Sequence, residues 1–242
     1  MDAPSVDMLP DADFRRVLCV VAHPDDLEYG TSAAIAAWTS RGVEVSYLLL
    51  TKGEAGMQRP PAETRELRGA EQQAACAAVG VTDLVMLDHP DGMLVYSLDL
   101  RRAIARRIRE VRPDVVVTGS WEVEFVAGLN QADHRAAGLA CADAVRDADN
   151  TWVFPELAAE EGLAKWGVTW LLVSGDTRPT HGVAVSEDAL ERGVASLEAH
   201  SGYLSDIPGH PSPRELITGI TSAQGKALGV PNAVLFRAFT LR

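Results

Sequence analysis

Apolar runs recur along the chain at Val17–Ala22, Val43–Leu50, Leu84–Leu87, Val115–Thr118 and Val168–Val173, with a shorter one at Gly182–Val185 and a last one at Ala233–Thr240. Short unbroken runs rich in Val and Leu are the pattern of strands buried on both faces. Between them the apolar and Ala positions fall at helical spacing. The spacing predicts helices over Thr31–Ser40, Ala62–Val79, Leu98–Val111, Arg135–Arg146 and Glu187–His200. Ser97 is a good N-cap for the third, and Gly42, Gly80 and Pro113 stop the first three. Strands alternating with helices predict an α/β fold: a Rossmann-like, mostly parallel sheet with helices on both faces. The Gly- and Pro-rich stretches Lys52–Pro61 and Ser201–Pro213 read as the longest loops, and loops of that length are often functional.

In a doubly wound sheet of order 3-2-1-4-5, the first and fourth strands are neighbours. Their connections leave to opposite faces and open a crevice at the carboxyl ends. The first predicted strand ends at His23-Pro24-Asp25-Asp26, and the fourth feeds a loop that ends at Asp133-His134. Two polar clusters more than a hundred residues apart in sequence are therefore expected to meet at one switch point.

Burying two neighbouring acids is costly unless a cation offsets them. Two imidazoles and a carboxylate are a common catalytic zinc set that leaves a position open for water. His23, Asp26 and His134 supply that set, for one ion per chain, with Zn2+ the default and Fe2+, Co2+ or Mn2+ compatible with the same donors. Asp25 stays free of the ion and is the expected general base, taking a proton from water and returning it to a leaving amine. Asp133 is expected both to cap the helix that it begins and to orient a neighbouring ligand.

The chain has 242 residues, 47% apolar and 23% charged, which fits a single domain over 1–242 with 1–15 loosely ordered. A net charge of −12 disfavours nucleic acid and anionic membrane as partners. No apolar stretch approaches the ~20 residues of a membrane span. Met1 to Asp13 holds four acids and no base, unlike a signal peptide, and Cys19, Cys76 and Cys141 show no paired spacing. The expectation is a cytoplasmic protein with reduced core thiols.

Ala22-His23-Pro24-Asp25-Asp26 resembles the signature motif of the LmbE / PIG-L family of zinc-dependent N-deacetylases. Thr51–Gly56 resembles its glycine-containing turn, Arg68–Gly80 its Arg-x-x-Glu helix, His89–Gly92 its Pro-Asp-Gly loop, and Asp133–Gly138 its second metal motif. The resemblance covers Val17–Ala148 well and the rest more loosely. It implies that His23, Asp26 and His134 are metal ligands, that Asp25 is the general base, and that Arg68 and Asp91 hold substrate hydroxyls. It also implies a small-molecule amide substrate, usually an N-acetylated amino sugar or its conjugate, and a possible homo-oligomer. By residue type alone, Arg68 and Glu71 read equally well as a solvated i, i+3 ion pair.

One position departs from the family pattern. Gln131 stands where many members carry a second histidine three residues before the ligand. An amide can donate to an oxyanion but cannot deliver a proton. Either Asp25 makes both proton transfers, or another histidine enters the site, with His200 the candidate. The leading expectation is removal of an acetyl or similar acyl group. Cleavage of a larger amide in a thiol–sugar conjugate, and a metal-binding module with weak or no catalysis, stay open beside it.

Overall fold

A computed structural model describes residues 6–242. The strands are Asp7–Met8 (β1), Arg16–Val21 (β2), Glu44–Leu49 (β3), Asp83–Met86 (β4), Val115–Gly119 (β5), Glu124–Phe125 (β6), Gly128–Leu129 (β7), Trp170–Ser174 (β8), His181–Ala184 (β9) and Ala233–Thr240 (β10). The helices are Ser32–Ser40 (α1), Pro61–Ala78 (α2), Leu98–Val111 (α3), Ala132–Ala148 (α4), Glu156–Ala159 (α5), Glu187–Glu198 (α6), Ser201–Ser205 (α7) and Pro213–Leu228 (α8).

The main sheet runs β1-β9-β10-β8-β5-β2-β3-β4. Its centre, β4-β3-β2-β5-β8, is parallel throughout and has the expected 3-2-1-4-5 order, counted from β2. β10 joins antiparallel to both β8 and β9. Successive side chains of a strand point to opposite faces. Val17, Cys19 and Val21 of β2 accordingly pack with α1 and α6, while Leu18 and Val20 pack with α3 and α4. The helices following β2 and β5 thus lie on opposite faces, which opens the crevice between these two strands. The three cysteines are buried and free, as expected. Among the described residues, no helix is long and apolar enough to cross a membrane.

Three local expectations are revised. Residues 1–5 lie outside the described part, but 6–15 are held, not loose. β1 pairs parallel with β9, Leu9 and Phe14 are buried, and Asp11 accepts from Trp38 Nε1 at 2.8 Å. Two apolar anchors among the acids are enough to dock the segment. The stretch read as the loop Ser201–Pro213 contains α7 and runs into a full helix, α8. Only Ile217, Thr221 and Gly225 of α8 are buried, one position per turn. The partly buried Leu216, Ile220 and Leu228 flank this stripe at helical spacing, a signal that the loop reading passed over. The start signals of α8 are also complete: Pro213 in the first turn and a Ser212–Glu215 capping box. Finally, α4 begins at Ala132, not Arg135, so Asp133 and His134 lie inside its first turn.

Candidate metal centre and active site

His23 follows β2 directly, at the carboxyl end of the parallel sheet. The chain turns sharply there, and the turn is fixed by Asp26, whose Oδ2 accepts from the His23 backbone N–H at 2.9 Å. That bond leaves Asp26 Oδ1 facing two imidazoles, 3.0 Å from His134 Nε2 and 3.6 Å from His23 Nδ1. The donor atoms of His23, Asp26 and His134 lie within 4.8 Å of one another. The two motifs thus meet where the topology requires. Gly138 lets them do so: a Cβ there would sit 2.5 Å from Gly119 O, so only glycine allows α4 this close to the end of β5.

Each imidazole is oriented from behind. His23 Nε2 lies 3.0 Å from Asp91 Oδ1 and 3.3 Å from Asp133 Oδ2. Both partners are carboxylates, so Nε2 carries the proton and Nδ1 offers its lone pair to the centre. His134 Nδ1 lies 3.2 Å from Asn130 Oδ1. The Asn130 amide cannot be turned, because its Nδ2 donates to Ser120 O and Glu122 O. Oδ1 therefore accepts, Nδ1 carries the proton, and Nε2 faces Asp26. Asn130 was not foreseen from the sequence. Its one signal there is its place four residues before His134, a helical turn away.

His23, Asp91 and Asp133 also come together closely enough to hold an ion. Their oxygens are already committed. Asp133 accepts from Gly92 N at 2.8 Å and Leu94 N at 3.0 Å, and Asp91 Oδ2 accepts from Ala55 N at 2.7 Å. These two carboxylates fix loops and aim His23. Asp133 is not the helix cap it was expected to be, since its carboxylate reaches across to the loop at Gly92–Leu94. Asp91, expected at a substrate hydroxyl, is spent on His23 and Ala55.

The charge state of the cluster is set by its carboxylates and imidazoles acting on one another. Burial alone pulls His23 down, but the Asp26 charge and the bonds to Asp133, Asp26 and Asp91 outweigh it and push the ring up to about 12. His134 is likewise raised, the Asp26 carboxylate overriding burial. Burial raises Asp26, yet the two imidazoles hold it well below the usual carboxylate range. Protons on two histidines here supply the positive charge that the carboxylates demand. The same nitrogens, deprotonated, are the donors that a divalent ion takes.

Asp25 stands beside this set in the left-handed region, at φ 76°. Its Oδ2 is 3.0 Å from Arg68 Nη2. Burial raises Asp25 most, Arg68 opposes it, and Asp26 adds to it, bringing the carboxyl up to about 7. Arg68 is buried, with both terminal nitrogens engaged: it donates to Pro24 O at 2.7 Å and Gly53 O at 3.0 Å, its guanidinium lies 4.1 Å from the centre of the Tyr203 ring, and its Nε is buried without a partner. It is neither a solvated partner of Glu71 nor free for a sugar hydroxyl. Glu71 instead accepts from Gly202 N at 2.6 Å. Tyr203, on α7, faces the Arg68 guanidinium and was also missed from sequence, because α7 read as loop.

One further expectation meets a different outcome. His200 does not enter the site. It is fully buried, its Nε2 is 3.9 Å from Glu28 Oε2, and neither ring nitrogen has a hydrogen-bond partner. Burial, with the Arg68 charge added, pulls its pKa down to about 3. Gln131 is the N-cap residue of α4, exposed, with its side chain making no cap hydrogen bond.

The model of the family described as PIG-L, GlcNAc-PI de-N-acetylase, matches residues 18–145. The chain belongs to the PIG-L family. Every metal-set residue and its supports Asn130, Asp91 and Asp133 lie within the PIG-L match, whereas His200 and Tyr203 lie beyond it. The chain is 36% identical over 140 residues to a probable N-acetyl-alpha-D-glucosaminyl L-malate deacetylase 2 of Bacillus anthracis, covering 54% of this chain and 59% of that protein. It is 29% identical over 239 residues to a 1D-myo-inositol 2-acetamido-2-deoxy-alpha-D-glucopyranoside deacetylase of Acidothermus cellulolyticus, covering 79% and 80% of the two chains. Among solved structures, the N,N'-diacetylchitobiose deacetylase of Pyrococcus horikoshii superposes with a TM-score of 0.84 at 22% identity, over 96% of this chain and 86% of that one. That likeness establishes the fold.

Proposed function

We propose that this chain is a metal-dependent N-deacetylase that removes an acetyl group from an N-acetylglucosamine-containing conjugate. The relatives named above are deacetylases of such sugars, and this chain shares their family. The observation that carries the reading is the aim of three donors, His23 Nδ1, Asp26 Oδ1 and His134 Nε2, at one point beside Asp25. Two imidazoles and one carboxylate suit zinc, and the same donors accept iron, cobalt or manganese. A bound divalent ion supplies Lewis acidity toward an amide carbonyl and toward water.

The chain's own residues do the rest. Asp91 and Asp133 keep the proton of His23 on Nε2, and Asn130 keeps that of His134 on Nδ1. Asp25 takes the proton of the water that adds to the carbonyl carbon, then gives it to the amine nitrogen as the C–N bond breaks. A carboxyl lifted to about 7 by burial is suited to both transfers, and a neighbouring cation draws it lower. Gln131, uncommitted at the N-terminus of α4, offers an amide N–H toward the carbonyl oxygen as charge builds there. Arg68 acts on Asp25 and its turn, not on the sugar.

The test is Asp25→Ala, read by primary-amine release from N-acetylglucosaminyl conjugates together with metal content. Metal retained with turnover lower by about 10²- to 10⁴-fold is expected. Full turnover in the metal-loaded variant would remove Asp25 from the mechanism.

A further inference from the structure

Arg68 and Gln72 lie one turn apart on α2, so their side chains project from the same face. Both reach the turn after β2, and they reach the same peptide group. Arg68 Nη2 donates to Pro24 O at 2.7 Å, and Gln72 Oε1 accepts from Asp25 N at 3.0 Å. Pro24 C=O and Asp25 N–H are the two polar ends of one peptide unit. Fixing both ends fixes the plane of that unit, and rotation between the plane and the Asp25 Cα is φ itself. Here φ is 76°, a conformation that residues carrying a Cβ rarely adopt.

The Gln72 amide has one usable orientation. Its Nε2 faces Glu28 Oε1 at 3.2 Å and Cys76 Sγ at 3.7 Å, so turning it over would set its oxygen against a carboxyl oxygen. Glu28 is in turn held by Ser196 Oγ of α6 at 3.3 Å. Gln72, Glu28 and Ser196 are all buried, where a polar chain is disfavoured unless its bonds are made. The far side of Asp25 is tied down as well, since its carbonyl accepts from Glu28 N at 2.9 Å and Tyr29 N at 3.2 Å.

We propose that Gln72 is a positioning residue which, with Arg68, clamps the Pro24–Asp25 peptide group and so fixes the turn that aims the Asp25 carboxylate. The clamp itself stands on geometry alone, while its bearing on turnover rests on the role given to Asp25 above. Two variants separate these. Gln72→Met keeps the length of the side chain and removes the acceptor. The double swap Gln72→Glu with Glu28→Gln restores an acceptor for the Asp25 amide and a donor–acceptor pair behind it.

The readouts are amide hydrogen exchange at Asp25, metal content, thermal midpoint, and kcat and KM for amine release. In Gln72→Met the Asp25 amide is expected to exchange about tenfold faster or more, because its only acceptor is gone. With metal content and KM unchanged, kcat is expected to fall by roughly tenfold to a hundredfold, the scale of a misplaced catalytic group. The double swap is expected to recover both. Exchange at the wild-type rate in Gln72→Met would overturn the clamp, as would a folded double swap that recovers nothing. Faster exchange with undiminished kcat, or a loss of kcat that tracks loss of metal, would overturn the positioning role. A wild-type chain that releases no amine, yet shows the exchange pattern, would refute the proposed function and leave the clamp standing.

Discussion

His200 offers a sharp test of how the buried polar layer beneath the site behaves. It is fully buried, faces Glu28 Oε2 at 3.9 Å, and feels the charge of Arg68. In the folded chain its pKa is about 3, against 6.5 for an ordinary histidine. The group is neutral when folded and gains a proton only on unfolding. Stability from this source is therefore intact above pH 6.5 and falls as the pH drops toward 3, because the unfolded state binds more protons throughout that window. Each pH unit within the window is worth about 1.4 kcal/mol, so wild-type chain loses about 2 kcal/mol between about pH 7.5 and about pH 5 from this one group. His200→Leu removes the proton site and also two unpartnered ring nitrogens, so the variant is expected to be at least as stable as wild type near neutral pH. Urea denaturation of both chains across this range should show the stability difference growing in favour of the variant by about 2 kcal/mol at the acid end. Parallel curves would refute the buried neutral state. Turnover is expected to be preserved, and its collapse would return His200 to the catalytic machinery.

Other outcomes follow from the supports of the site and of the fold. Asn130→Ala frees the His134 ring, and metal affinity measured by chelator competition is expected to fall about 10- to 100-fold; unchanged affinity would mean that the ring is held by other contacts. Arg109 is buried and donates to five backbone carbonyls, those of Ala148, Phe154, Asp147, Asn150 and Val153, at the end of α4. Ala148 O, Asp147 O and Phe154 O also accept from backbone N–H groups, so Arg109→Met leaves Asn150 O and Val153 O unpaired and is expected to cost about 2 kcal/mol or more in urea denaturation, with metal content unchanged; a loss below about 1 kcal/mol would show that water replaces the guanidinium.

Much of this was readable from the chain. The central strand order and the meeting of His23, Asp26 and His134 follow from apolar runs and one topological rule, because the parallel sheet is buried on both faces and its strands carry a strong signal. β1 hides behind its acids, and α8, though Leu216, Ile217, Ile220 and Leu228 fall at helical spacing, was passed over beside the Gly- and Pro-rich stretch that precedes it. Charged residues of known type were harder to place than to find. Arg68 read as a surface ion pair or a sugar ligand, and only coordinates show it enclosed by Pro24, Gly53 and Asp25. His200 was placed at a helix end, but sequence does not say whether an end turns toward the cleft or into the core. Asn130 and Gln72 are neutral amides, so nothing in their type marks them. Their importance lies in what they touch.

The central claim is that two motifs 108 or more residues apart form one ion-holding centre, as the spacing of Asp26 and His134 requires. Metal content per chain, compared between wild type and His134→Ala, tests it most directly. The account predicts about one zinc-class ion per wild-type chain and a large loss in the variant, which folds as before. Wild-type chain that takes up no ion after addition of zinc, or a variant that binds as much as wild type, would contradict it.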